Sequence, residues 1–210
     1  TSLFSGLKQL QKLVLINCKA KDWSAMLKWD RNQLTHLDLF GSNIDLSHET
    51  MFNDLKCLKY LDLSGNKMPA ILNQNLFREL TQLETLIMCS EFNSSSTSLH
   101  DKSFIYLSNL RELRLKHFHT EENCSNLFSH MTRIQKLAIS MSFFSRESLK
   151  SVSNLRELSL TQFRMASLDK SLFDQHPNLE SLDLTSLKDL NNDHVAKDAF
   201  ANLKSLNSLH

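Results

Sequence analysis

One uneven beat of apolar residues dominates this chain. In "LKYLDLS" (residues 58–64), Leu58, Leu61 and Leu63 stand at offsets of three and two. No helix face keeps that spacing, and no alternating strand keeps it for long. The beat recurs as Leu10–Leu13–Leu15, Leu34–Leu37–Leu39, Leu58–Leu61–Leu63, Leu83–Leu86–Met88 and Leu110–Leu113–Leu115. It continues as Ile134–Leu137–Ile139, Leu155–Leu158–Leu160 and Leu179–Leu182–Leu184, and a ninth copy begins at Leu206–Leu209. Steps between first positions are 24, 24, 25, 27, 24, 21, 24 and 27 residues. A period in this range means a stack of coils, none of which can bury its own apolar face without a neighbour.

Two further columns fix the register. Six residues before the first position stand Phe4, Phe52, Phe77, Phe104, Phe128, Phe173 and Phe200, seven of the 13 phenylalanines. Lys28 and Leu149 are the exceptions. Three residues before the first position stand Leu7, Leu55, Leu80, Leu107, Met131, Val152 and Leu203, with His176 departing in the eighth copy. Each "LxL" is expected to be a short strand whose leucines point inward, while Tyr60, Asp62 and Ser64 and their equivalents point outward. Met68 would return to the core after a turn, and the phenylalanines would line a convex wall.

Asn66 occupies a column where an amide could tie the turn to the next coil, since it both donates and accepts. The column reads Cys18, Ser42, Asn66, Glu91, Phe118, Ser142, Phe163 and Leu187, so most turns must be satisfied in another way. The 27-residue steps predict longer loops, and "SEFNSSSTSLHD" (residues 90–101) reads as a mobile one. The second copy lacks its Phe, and Trp23, Met26, Leu27 and Trp29 are expected to fill that space.

The joint pattern "LxxLxL" plus "FxxLxxL" resembles the extracellular leucine-rich repeat. "DLKCLKYLDLSGNKM" and "DHVAKDAFANLKSLNSL" are similar to the repeats of Toll-like receptor ectodomains in particular. The fold this implies is an α/β solenoid: a horseshoe of about nine repeats with a parallel β-sheet on its concave face and an irregular or short-helical convex side. The resemblance covers nearly all of residues 1–210, read as one solenoid domain. Without a cysteine-rich cap at either end, it is expected to be an internal slice of a longer ectodomain.

The resemblance implies a ligand-recognition module of an innate-immune receptor that binds a protein or microbial product and signals as a homo- or heterodimer. Its place would be extracellular, with membrane attachment through a segment outside this chain. A secreted leucine-rich-repeat immune scaffold or adhesion protein without its own signalling domain is the alternative. Cys18 in "LVLINC" resembles an intracellular repeat class, but the Phe column argues against an intracellular adaptor.

Candidate sites follow from the outward strand positions. Copies five and six offer Arg111, Arg114, Lys116, His117 and Lys136, whereas Asp38, Asp62 and Asp183 lie toward the flanks. This predicts a concave basic patch for an acidic partner. His117 and His119 also raise the question of pH sensing. Sequons at Asn93 and Asn123 are candidate glycosylation sites. Of Cys18, Cys57, Cys89 and Cys124, the pair Cys89–Cys124 is the one candidate disulfide. No paired CxxC suggests a metal, and no cofactor is expected.

Overall charge is balanced, with 24 basic and 23 acidic residues and a net +1. That gives no basis for non-specific binding to nucleic acid or a membrane surface. No apolar run reaches the ~18 residues of a membrane span. GxSxG, HExxH and phosphate-cradling Gly-rich motifs are missing, so the chain is not expected to be an enzyme.

Overall fold

The computed structural model describes residues 3–4, 6–27, 33–90, 97–120, 124–141, 146–163, 167–187, 190 and 194–210. Lys28, Trp29, Glu91, Asn93, Asn123 and Ser142 lie outside them. The concave sheet is built from parallel strands, one for each copy of the beat. They are β1 (Lys12–Val14), β2 (His36–Asp38), β3 (Tyr60–Asp62) and β4 (Thr85–Cys89). After a short extra strand β5 (Thr97–Leu99) come β6 (Glu112–Thr120), β7 (Lys136–Met141), β8 (Glu157–Thr161), β9 (Ser181–Asp183) and β10 (Ser208–Leu209). Leu13, Leu37, Leu61, Leu86, Leu113, Leu137, Leu158, Leu182 and Leu209 stand in line across the sheet. All but Leu209 are buried, which makes one continuous leucine row the spine of the core. The solenoid makes about seven turns, slightly fewer than the expected nine repeats.

The convex wall is the phenylalanine column. Phe52, Phe77, Phe104, Phe128 and Phe173 are all at most 1% exposed. Phe77 and Phe104 stack with centroids 6.2 Å apart, and Phe173 and Phe200 at 6.1 Å. Leu149 takes the Phe place inside a helix, Arg146–Lys150, in the copy with the shortest step. A second helix, Trp23–Met26, is capped by Asp22, whose carboxylate accepts the Ala25 N–H at 2.9 Å. Trp23 and Leu27 from this segment fill the space of the missing Phe. The buried indole Nε1–H of Trp23 donates to the Ser42 carbonyl at 3.1 Å, so this tryptophan is core.

Turns after the strands repeat one left-handed residue. Asn17, Gly41, Gly65, His117, Gln162 and Ser186 all have φ between 53° and 70°, each two residues past the last leucine of its beat. At the next position Asn66 makes the expected tie. Its Nδ2 donates to the carbonyls of Leu39 at 2.8 Å and Leu63 at 3.0 Å, and its Oδ1 accepts the Ile44 N–H at 3.0 Å. Ser42 replaces that tie one coil earlier, donating to the Leu15 carbonyl at 2.6 Å and accepting the Cys18 N–H at 3.2 Å. Phe118 and Phe163 hold the column as buried side chains instead.

For the strands paired on both sides, β2 to β9 of the main row, length follows one residue. Where Asp stands at the second outward position, its carboxylate accepts the N–H two residues on: Asp38 from Phe40, Asp62 from Ser64, Asp183 from Thr185. That donor is then lost to the ladder, and β2, β3 and β9 stop at the aspartate. With Ile87, Arg114, Ala138 or Ser159 at the same place, the strands run on for five to nine residues.

The expectation of a mobile loop across residues 90–101 needs correction at its C-terminal end, residues 91–96 lying outside the described ones. Thr97–Leu99 is a strand, buried throughout, paired with Phe118–Thr120. It is held on its other side by Ser98 N–H to the Ala70 carbonyl at 2.8 Å and Leu72 N–H to the Ser98 carbonyl at 3.0 Å. The pairing is reached because β6 continues through a bulge at His117 and offers its far half to the new strand.

Candidate functional site: the concave trough and its rim

Small side chains open a depression in the middle of the concave face. Ala138 on β7 and Ser159 on β8 lie between Arg114 on β6 and Asp183 on β9 in one row of the sheet. Strands sit ~4.8 Å apart, so Arg114 and Asp183 face each other across a gap of about 14 Å at the backbone. Glu112, Lys136, Glu157, Ser181 and His210 complete the walls of a cavity of about 260 Å³.

The walls are an alternating ion network. Arg114 pairs with Glu112 at 2.6 Å, and Lys136 with Glu157 at 2.7 Å. The hydrogen bond and charge of Glu157 raise the Lys136 pKa. Asp183 accepts the Ser159 hydroxyl at 3.0 Å. Burial pushes Asp183 upward, but hydrogen bonds from the backbone and hydroxyl of Thr185 and from Ser159 outweigh it and hold the carboxylate below its usual range. Such half-exposed pairs stabilise the fold by only ~0–1 kcal/mol, so a ligand can exchange them at little cost.

The structure brings only part of the predicted basic patch together. Arg114 and Lys136 line the trough. Lys116 is one step further along β6, opposite Cys89. His117 is the bulge residue, and burial and then the Lys116 charge lower its pKa. Arg111 sits on the flank, outside the trough, and pairs with Glu84 at 3.6 Å. Counting the outward cations alone missed Glu112 and Glu157, which the strand alignment places on the same face. The acidic flank residues Asp38, Asp62 and Asp183 are committed to the turn N–H groups described above.

All four cysteines are free thiols, so the Cys89–Cys124 bridge is not formed. Each thiol has its own surroundings. Cys89 ends β4 beside Ser64, with burial raising its pKa. Cys124 is buried and donates to the Asp101 carboxylate in a different part of the coil. No cluster of three metal-ligating side chains exists among the described residues, and no helix among them is long and apolar enough to cross a membrane.

At the other end of the face the surface is apolar and aromatic. Val14, Ile16 and Phe40 are 42–49% exposed on β1 and the turns that follow β1 and β2. Beside them the His36 and Tyr60 rings stack at 4.0 Å, only 4° from parallel. Burial and the Lys12 charge lower the His36 pKa, which keeps the ring neutral in that stack.

Comparison with known proteins agrees with this geometry. The leucine rich repeat family profile matches residues 32–90. Toll-like receptor 3 of Homo sapiens is 28% identical over 171 residues, which cover 75% of this chain and 19% of the receptor. The chain spans about a fifth of the length of the curated relatives it matches. Among solved structures, the TLR13–ssRNA13 complex superposes with a TM-score of 0.70 at 25% identity, covering 99% of this chain and 29% of the other. The mouse RP105/MD-1 complex gives a TM-score of 0.80 at 24% identity, covering 97% of this chain and 34% of the other, and shows the fold. The chain folds as a leucine-rich-repeat solenoid and resembles a fragment of a Toll-like receptor ectodomain.

Proposed function

We propose that this chain is the ligand-recognition part of a Toll-like innate-immune receptor ectodomain, which binds its ligand on the concave face and signals by dimerising outside the cell. The observation that carries the reading is the trough: an unbroken sheet of inward leucines that holds Arg114 and Asp183 rigidly across a floor of Ala138 and Ser159. Such a site suits a protein or microbial product that offers an acidic group to Arg114, Lys116 and Lys136 and a donor to Asp183. Similar solenoids are found in complex with an RNA in one case and a protein in another, so the fold accommodates either class. Glycans on Asn93 and Asn123 are part of the same proposal.

The test uses the purified full-length protein and light scattering with and without candidate ligands. Ligand-dependent dimerisation supports the receptor reading. A monomer indifferent to every microbial and protein candidate, or a constitutive complex with another repeat protein, favours a secreted scaffold instead. The triple variant Arg114→Glu, Lys116→Glu, Lys136→Glu should abolish ligand binding while leaving the folded circular-dichroism signal intact. Unchanged affinity in that variant would remove the trough from the mechanism.

A further inference from the structure

A second polar cavity lies on the flank, sharing no side chain with the trough. It has a volume of about 270 Å³ and is lined by Arg111, Arg133, Gln135, Asn154, Arg156 and Asn178, with Thr132 at its edge. The three guanidinium groups come from three successive coils. The backbone that carries this lining is fixed by the ladder. The Arg111 carbonyl accepts the N–H groups of Gln135 and Lys136 at 2.8 and 2.9 Å. The Gln135 carbonyl accepts those of Arg156 and Glu157 at 2.8 and 3.0 Å, and the Arg156 carbonyl those of Glu180 and Ser181 at 2.8 and 3.0 Å. Arg111 and Arg156 are therefore held two strand spacings apart, about 10 Å, with Gln135 of the middle coil in line between them and Arg133 two residues before it in the same lining.

Charge around the cavity does not cancel. Glu84 is shared between Lys59 at 3.4 Å and Arg111 at 3.6 Å, and Glu180 pairs with Arg156. Arg133 is exposed and makes no ion pair with a described residue. Four cations thus stand against two carboxylates. The pairs already present are exposed and weak, so a bidentate oxyanion can displace them.

We infer that this flank cavity binds the sulfate groups of a sulfated polysaccharide. Guanidinium forks match the planar pairs of oxygens that a sulfate ester presents. The amides of Gln135 and Asn178 and the Thr132 hydroxyl offer the donors and acceptors that sugar hydroxyls need. Among the described residues no aromatic side chain lines the cavity, so single-stranded nucleic acid finds no surface there on which to stack its bases. Arginines contributed by three successive coils meet a polymer with repeated sulfates better than one small anion.

Calorimetric titration of the full-length protein with a heparin octasaccharide, and with the same octasaccharide desulfated, tests this. The sulfated probe should bind, weaken steeply with added salt, and lose about tenfold in affinity on Arg133→Gln. Arg111→Gln and Arg156→Gln should lower it similarly, and Lys67→Gln, in the exposed turn past the C-terminal end of β3, should not change it. Equal binding of the desulfated probe would overturn the inference, as would unchanged affinity in all three arginine variants. So would a single-stranded RNA that binds more tightly than heparin and is equally sensitive to Arg133→Gln. Arg133 lies outside the trough, so these outcomes are read separately from ligand-dependent dimerisation.

Discussion

The His176 Nε2 atom lies 3.2 Å from the Leu149 carbonyl oxygen of the preceding coil, with the imidazole fully buried. A carbonyl can only accept, so Nε2 carries the proton. Nδ1 is buried and has no hydrogen-bond partner among the described residues. The ring is therefore held neutral, its pKa lowered by burial despite the opposing effect of the Leu149 hydrogen bond.

Acid should loosen this part of the solenoid. The unfolded chain takes up a proton near the ordinary histidine value of 6.5, while the folded chain resists it. Stability from this group is thus complete above that pH and falls as pH drops below it, by at most about 1.4 kcal/mol per pH unit. His36 and His117, also lowered by burial, act in the same direction. Thermal melts from neutral to mildly acidic pH should show a falling midpoint, and His176→Leu should flatten that slope even if it lowers the neutral-pH midpoint by orphaning the Leu149 carbonyl. An unchanged slope in the variant would show that His176 does not titrate the fold.

Asn66→Ala should be costly despite the small change in volume. The amide satisfies the carbonyls of Leu39 and Leu63 and the N–H of Ile44 inside the turn stack. Removing it strands buried backbone groups at ~1–3 kcal/mol each. We expect a loss of about 3 kcal/mol, seen as a lower midpoint in chemical denaturation. Asn66→Ser should recover part of it, because Ser42 does the equivalent work one coil earlier.

Gly65 is the third weak point. Its φ is +69°, and a methyl group there would sit 3.2 Å from the Gly41 Cα and 3.3 Å from the Gly41 N. Both contacts are backbone and cannot swing aside. Gly65→Ala should therefore destabilise by about 1–2 kcal/mol from the left-handed conformation alone, with the close contact adding to it. A melt indistinguishable from wild type would mean that the turn can rotate out of its stack.

The repeat was legible in sequence because the leucine and phenylalanine columns are apolar requirements set by burial, and burial leaves a period. The Asp38, Asp62 and Asp183 column was visible too, but it read as surface charge, since a side chain bonding its own backbone two residues on leaves no periodic trace. Asn17, Gly41 and Gly65 carry a signal for the left-handed column, small or amide residues at a fixed place after the last leucine. Strand β5 was not legible: Thr97-Ser98-Leu99 is polar, and its pairing depends on β6 continuing past His117 in the next coil. The candidate site was half legible. The cations Arg114 and Lys136 were found, whereas the trough depends on the small size of Ala138 and Ser159 and on the carboxylates of Glu112 and Glu157.

Restoring the consensus at Leu149 should harm the protein. The Phe column suggests that Leu149→Phe would join Phe128 to Phe173 and extend the stacks seen at Phe77–Phe104 and Phe173–Phe200. Geometry points the other way. The step from Ile134 to Leu155 is 21 residues, the shortest in the chain, and its convex side is condensed into the helix Arg146–Lys150. Leu149 is 1% exposed there, and its carbonyl is held by His176. A ring in that space must push the helix off the core, at ~1–3 kcal/mol for overpacking. Phe104→Ala, by contrast, removes a buried ring from a full-length coil and should cost ~3–5 kcal/mol. Denaturation midpoints of both variants decide the matter. A Leu149→Phe protein more stable than wild type would show that the short coil has room for the ring, and that its leucine is not a packing requirement.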